Sequence, residues 1–152
     1  MHIPGARLVY DGIMPDIARE RLTTLRNGLL RLHLSLLDSE RASYERDVQH
    51  ISGTGEYLNL VLNDPWFTWL RELSGFIVLI DETLDFADPP KPADADGLIA
   101  RARALVTPSN AGPVFARRYD EAMQRDPGVV LAHGAMMQVF AGLAPETPSA
   151  AT

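Results

Sequence analysis

The segment Asn63-Asp64-Pro65-Trp66-Phe67-Thr68-Trp69-Leu70 constrains the fold of this chain more than any other stretch. Asp64 offers a side-chain oxygen to the free backbone N–H groups of a first helical turn, and Pro65 has its φ already set for that turn. Trp66 and Trp69 share a face, and the run Gly75-Phe76-Ile77-Val78-Leu79-Ile80 that follows is apolar almost all round. A helix of that kind belongs at the centre of a bundle. The spacing predicts one helix from Pro65 to about Asp85, with Trp66, Trp69, Leu73, Phe76, Ile77, Ile80 and Leu84 on a broad buried face.

The rest of the chain reads as helices that pack around this one. Residues 1–14 contain Pro4, Gly5 and Gly12 without helical period and are expected to form an N-terminal arm that carries His2. Pro15-Asp16 opens a long helix in which Leu22, Leu25, Leu29, Leu32 and Leu36 recur at three- and four-residue spacing, reaching about Asp47. Ser52 or Thr54 is the expected cap of a short helix with Tyr57, Leu58, Val61 and Leu62. The proline-rich stretch 87–95 reads as a linker, after which Asp94 or Asp96 caps a helix ending near Thr107-Pro108. Gly112-Pro113 and Asp126-Pro127 start two further helices, and residues 144–152 form a flexible tail. The predicted fold is all-α: a compact bundle of five or six helices in a single domain over residues 15–143.

Several function classes fall away on composition. A chain of 152 residues with 46 % hydrophobic residues suits one domain with one core. No apolar run approaches the roughly 20 residues that span a bilayer, so no membrane association is expected. The basic-then-apolar pattern of a signal peptide is missing at the start, which predicts a cytoplasmic protein. With no cysteine there are no disulfides, thiol nucleophiles or thiolate metal sites. The net charge of −6, with arginines interleaved among acids, disfavours nucleic acid as a partner. All basic residues but Lys91 are arginine, a skew associated with GC-rich bacterial genomes.

The residues that could carry chemistry are few. Arg26, His33, Glu40 and Asp47 follow one another at intervals of seven and fall within the leucine arc. A histidine and carboxylates on an inward face are what a metal-binding bundle uses, but such bundles need Glu-x-x-His pairs, and none occurs here. Tethered core groups and interhelix ion pairs explain the pattern more simply. Asp81 follows the apolar run at the rim of its buried face, where Arg26, Arg31 or His33 could pair with it. His133 lies among Met136, Met137 and Phe140, which suits a satisfied core histidine better than a haem ligand. No Gly-x-Ser-x-Gly elbow is present, and Ser52-Gly53-Thr54-Gly55 lacks the lysine of a phosphate-binding loop.

Leu36-Leu37-Asp38-Ser39-Glu40-Arg41 with Tyr44-Glu45, and Asp64-Pro65-Trp66-Phe67-Thr68-Trp69-Leu70 leading to Ile80-Asp81-Glu82, resemble a family of small, uncharacterised bacterial helical proteins. The likeness extends over Leu29 to Phe86. It implies a compact helical domain and supplies no activity and no catalytic residues. The stretch Tyr119 to Pro127 separately resembles the second helix of a tetratricopeptide repeat, with Ala122 and Pro127 at the repeat's spacing. Only one such unit is visible, whereas stacked repeats need several.

These observations predict a non-catalytic binding or self-association module without cofactor or metal. Phe67 lies about 100° round a helix from Trp66, so one member of Trp66, Phe67 and Trp69 is expected near the surface, where aromatics favour a partner interface. A homodimer is the simplest such partner. The competing expectation is a metal or small-ligand site between the first helix and the Trp66 helix, built from His33, Glu40, Tyr44 and Asp81. A third is an enzyme with Asp81 or His33 as general base.

Overall fold

The computed structural model describes residues 4–86 and 89–144, with side chains described from residue 17 onward. His2 and the tail beyond residue 144 lie outside the described residues. Seven helices follow in order: α1 (Pro4–Asp47), α2 (Thr54–Asn63), α3 (Pro65–Thr68), α4 (Arg71–Phe86), α5 (Pro92–Leu105), α6 (Val114–Arg125) and α7 (Pro127–Leu143). The all-α expectation holds among the described residues. None of these helices is long and apolar enough to cross a membrane. α1 begins at Pro4, inside the segment read as an arm.

The hub of the bundle is α1, and the Trp66 helix is one of the elements packed on it. α1 meets α3, α4, α5, α6 and α7, whereas the main contacts of α4 are with α1 and α5. The reason lies in the leucine repeat. Leu22, Leu25, Leu29, Leu32 and Leu36 are all fully buried, and removing each from water stabilises the fold by about 1.5–3 kcal/mol. Around them pack Leu73 and Ile80 of α4, Ile99 and Ala102 of α5, Tyr119 of α6, and Met136 and Phe140 of α7. The apolar run on α4 instead leaves Val78 exposed. α7 runs antiparallel to α1: Arg21 donates to the carbonyl of Leu143, while Arg125, just before α7, meets Glu40. Gly28 lets these two helices approach, since a Cβ there would sit 3.1 Å from Met136 Sδ and 3.3 Å from Val139 Cγ1.

The predicted Pro65–Asp85 helix is broken after one turn, which raises the helix number above the five or six expected. The Leu70 N–H donates to Phe67 O instead of continuing the α-helical ladder, and α4 restarts at Arg71. The break sorts three aromatics into two cores. Trp66 and Phe67 join Tyr44, Ile51 and Tyr57 in a small cluster at the far end of α1, and Trp69 turns into the main core.

Local chemistry placed most helix starts. Asp64 accepts from the Trp66 N–H at 2.8 Å, and Asp126 accepts from Gly128 N–H at 2.8 Å, each followed by proline at the first helical position. Gly53 caps α2 in place of Ser52 or Thr54, and Ser52 donates its N–H and hydroxyl to Glu56. α5 starts three residues before Ala95, within the expected linker. Asp94 sits in its first turn and accepts from the Lys91 N–H at 3.1 Å instead of acting as the cap.

If the leucine seam organises the bundle, Leu29→Ala is expected to lower the unfolding free energy by about 2–5 kcal/mol. Leu34→Ala, one turn on but half-exposed, is expected to change it by less than about 0.5 kcal/mol. Urea titration of both variants measures the difference.

Candidate functional site

The four residues expected to form a ligand site do not converge. Asp81 accepts from Arg26 Nε at 2.8 Å, one of the pairings foreseen for it. Glu40 instead accepts from Arg125 Nη2 at 2.6 Å, and the same nitrogen reaches Ser39 Oγ at 3.2 Å. Arg26 and Glu40 are fourteen positions apart on α1, about 21 Å along its axis, so the two carboxylates belong to different ends of the bundle. His33 lies between them, half-buried, and makes no hydrogen bond among the described residues; burial lowers its pKa. Tyr44 is buried against Trp66, edge to face with centroids 5.8 Å apart, and against Phe67. Each polar member is answered by a structural partner or by packing. Among the described residues, no three His, Asp or Glu side chains gather closely enough to hold a metal ion.

Of the three aromatics expected at an interface, Phe67 and Trp69 are interior and Trp66 keeps part of its surface exposed. Phe67 is 1 % exposed because α2 and Tyr57 cover it. Trp69 is buried against Phe115 at 5.3 Å between centroids, and Trp66 is half-buried. Both indole N–H groups are shut away from solvent without an acceptor among the described residues. A buried donor left in that state costs about 1–3 kcal/mol.

A large concave surface lies elsewhere among the described residues. A cleft of about 810 Å³ opens between α4, α5 and the start of α6, within the size range of small-molecule sites. Its floor is apolar, with Phe76 and Leu79 from α4, Leu105 from α5 and Phe115 from α6. Four polar side chains edge it: Glu72, Arg101, Thr107 and Ser109. The Arg101 guanidinium lies over the Phe76 ring, 5.4 Å from its centroid. Among the described residues neither Arg101 nor Glu72 has an ion-pair partner. Gly75 lies on the α4 wall, and a Cβ there would meet nothing within 4 Å, so the space above this turn is open. No protein family, curated protein or solved structure matches the chain.

Sequence reasoning passed over this cleft because its walls come from three separate helices. Two signals were present. Gly75 interrupts a helix where alanine would be more stable by about 1 kcal/mol, and Arg101 sits among the apolar positions of α5 without an acid at helical spacing that pairs with it.

A second polar pair is structural. Tyr119, fully buried on α6, lies with its hydroxyl 2.7 Å from Nδ1 of His133 on α7. Burial pushes the Tyr119 phenol far above its ordinary range and lowers the pKa of His133. The phenol therefore stays protonated beside a neutral imidazole. His33 and His133 both have folded pKa values below the ordinary 6.5. The unfolded chain then takes up protons first as the pH falls, so the stability these residues contribute is complete above 6.5 and is lost progressively below it. Urea midpoints measured between about pH 7.5 and 5.5 are expected to fall on acidification, and to fall less in a variant with His33→Gln and His133→Gln. An equal fall in that variant would remove the two histidines as its cause.

Proposed function

We propose that this chain is a non-catalytic binding module and that the cleft between α4, α5 and α6 receives an apolar small molecule. The observation that supports this most is the combination of an apolar floor with a few polar groups at its edge, two of them charged and without partners, the usual composition of a ligand site. Two of the groups once expected to do chemistry are engaged elsewhere, Glu40 by Arg125 and Asp81 by Arg26. Nothing comparable to a nucleophile with an adjacent base lines the cleft. A neutral environment-sensitive dye such as Nile red tests the reading. Gly75→Leu projects a side chain into the open space and removes a helical glycine, so the variant is expected to fold with equal or higher stability. Its dye affinity is expected to drop at least about tenfold, a loss of about 1.4 kcal/mol. Unchanged affinity in the folded variant would overturn the cleft as the site.

Self-association is a second reading, moved from the tryptophans to α7. From Pro127 to Leu143 this helix contains no Asp, Glu, Lys or Arg. Its outward positions include Val130, Leu131, Gly134 and Ala135, with Leu131 76 % exposed. Two copies that each carry a net charge of −6 meet with least repulsion on an uncharged face. Light scattering coupled to size separation is expected to show a dimer that Leu131→Asp converts to monomer. A monomer throughout the micromolar range would exclude this reading and leave the cleft untouched.

A further inference from the structure

We propose that the ligand of the cleft is an amphipathic monoanion: an extended apolar body with one carboxylate or similar group at one end and no charge at the other. The inference rests on the cleft being the binding site and adds the chemistry of what enters it. Arg101 is the only cation among the residues lining the cleft and Glu72 the only acid.

The two charges mark opposite ends. Arg101 also lines an adjoining hollow with Leu79, Thr83 and Asp94, whereas Glu72 also lines another with Thr68 and Trp69. The apolar stretch of α4 from Gly75 to Leu79 lies between those hollows, so Arg101 borders one end of the cleft and Glu72 the other. Asp94 forms no ion pair with Arg101 and accepts from the Lys91 N–H, which leaves the guanidinium donors free.

Arg101 is prepared for a carboxylate. One face of its guanidinium is covered by Phe76, and it makes no hydrogen bond to the described residues. A guanidinium stacked in this way keeps its in-plane N–H donors available, and they match the two oxygens of a carboxylate. The apolar body then lies along Phe76 and Phe115 toward Glu72. A second negative group at that end would meet the Glu72 carboxylate, so Glu72 acts as a specificity residue that favours monoanions over dianions of the same length. Arg101 is exposed, so its pair with the ligand is expected to be modest, up to about fivefold in affinity.

Displacement of Nile red from the full chain by decanoate, decan-1-ol and decanedioate tests the inference, because ratios between ligands cancel their common apolar contribution. Arg101→Gln is expected to weaken decanoate relative to decan-1-ol by about three- to fivefold. Glu72→Gln is expected to strengthen decanedioate relative to decanoate by a similar factor. Both sites are on the surface, and thermal melts check that the variants remain folded. A decanoate-to-decanol ratio that Arg101→Gln leaves unchanged overturns the anion at Arg101. A decanedioate-to-decanoate ratio indifferent to Glu72→Gln overturns the selection against dianions. If Gly75→Leu fails to weaken the dye itself, the cleft reading falls first, so the two failures are distinguishable.

Discussion

The burial of one leucine seam governs this structure. Leu22 to Leu36 on α1 present an unbroken apolar strip, and α4, α5 and α7 each lay a face against it. These contacts are the largest source of favourable free energy visible in the bundle. The polar links between helices act as registers upon that seam. Arg21 holds the end of α7, Arg26 ties α1 to α4, and Arg125 brings the start of α7 to Glu40. A half-exposed pair such as Arg26–Asp81 contributes little stability by itself. It does fix where along the seam each helix comes to rest.

The same arrangement explains why the cleft is open. α4 and α5 both lean on α1, but between them only a limited contact forms, with Arg101 resting on Phe76. Gly75 supplies no side chain to close the gap, and the connection from α5 to α6 bends round at Ser109 and Gly112. At Gly112 a Cβ would press within 3.3 Å of Ser109 and Ala116, so the turn there is tightly held. The cleft is thus framed by firm elements and has a vacancy at one helical turn.

How much of this could be read from the sequence depends on the range of the interaction. Features set by a few neighbouring residues were legible: the leucine period of α1 and the Asp64-Pro65 and Asp126-Pro127 starts. Features set by competition between distant groups were not. Trp66 and Trp69 read as one helical face with Phe67 off it, because nothing nearby announces that Tyr44 and Ile51 will draw Trp66 and Phe67 one way while Phe115 draws Trp69 the other. The apolar run on α4 suggested a hub, yet the steadier leucine spacing on α1 makes the longer seam. Glu40 looked available for a ligand because Arg125, eighty-five residues later, gives no local sign of reaching it.

The small cluster around Phe67 has its own consequence. It is assembled from α2, α3, Ile51 and the last turns of α1, and it joins the main-core elements at Leu37 on α1 and where Arg71 of α4 donates to the Leu62 carbonyl of α2. Regions of that kind open on their own with a free energy below that of global unfolding. Trp66 belongs to the lesser cluster and Trp69 to the greater, so each tryptophan stands as a separate optical witness to its own core.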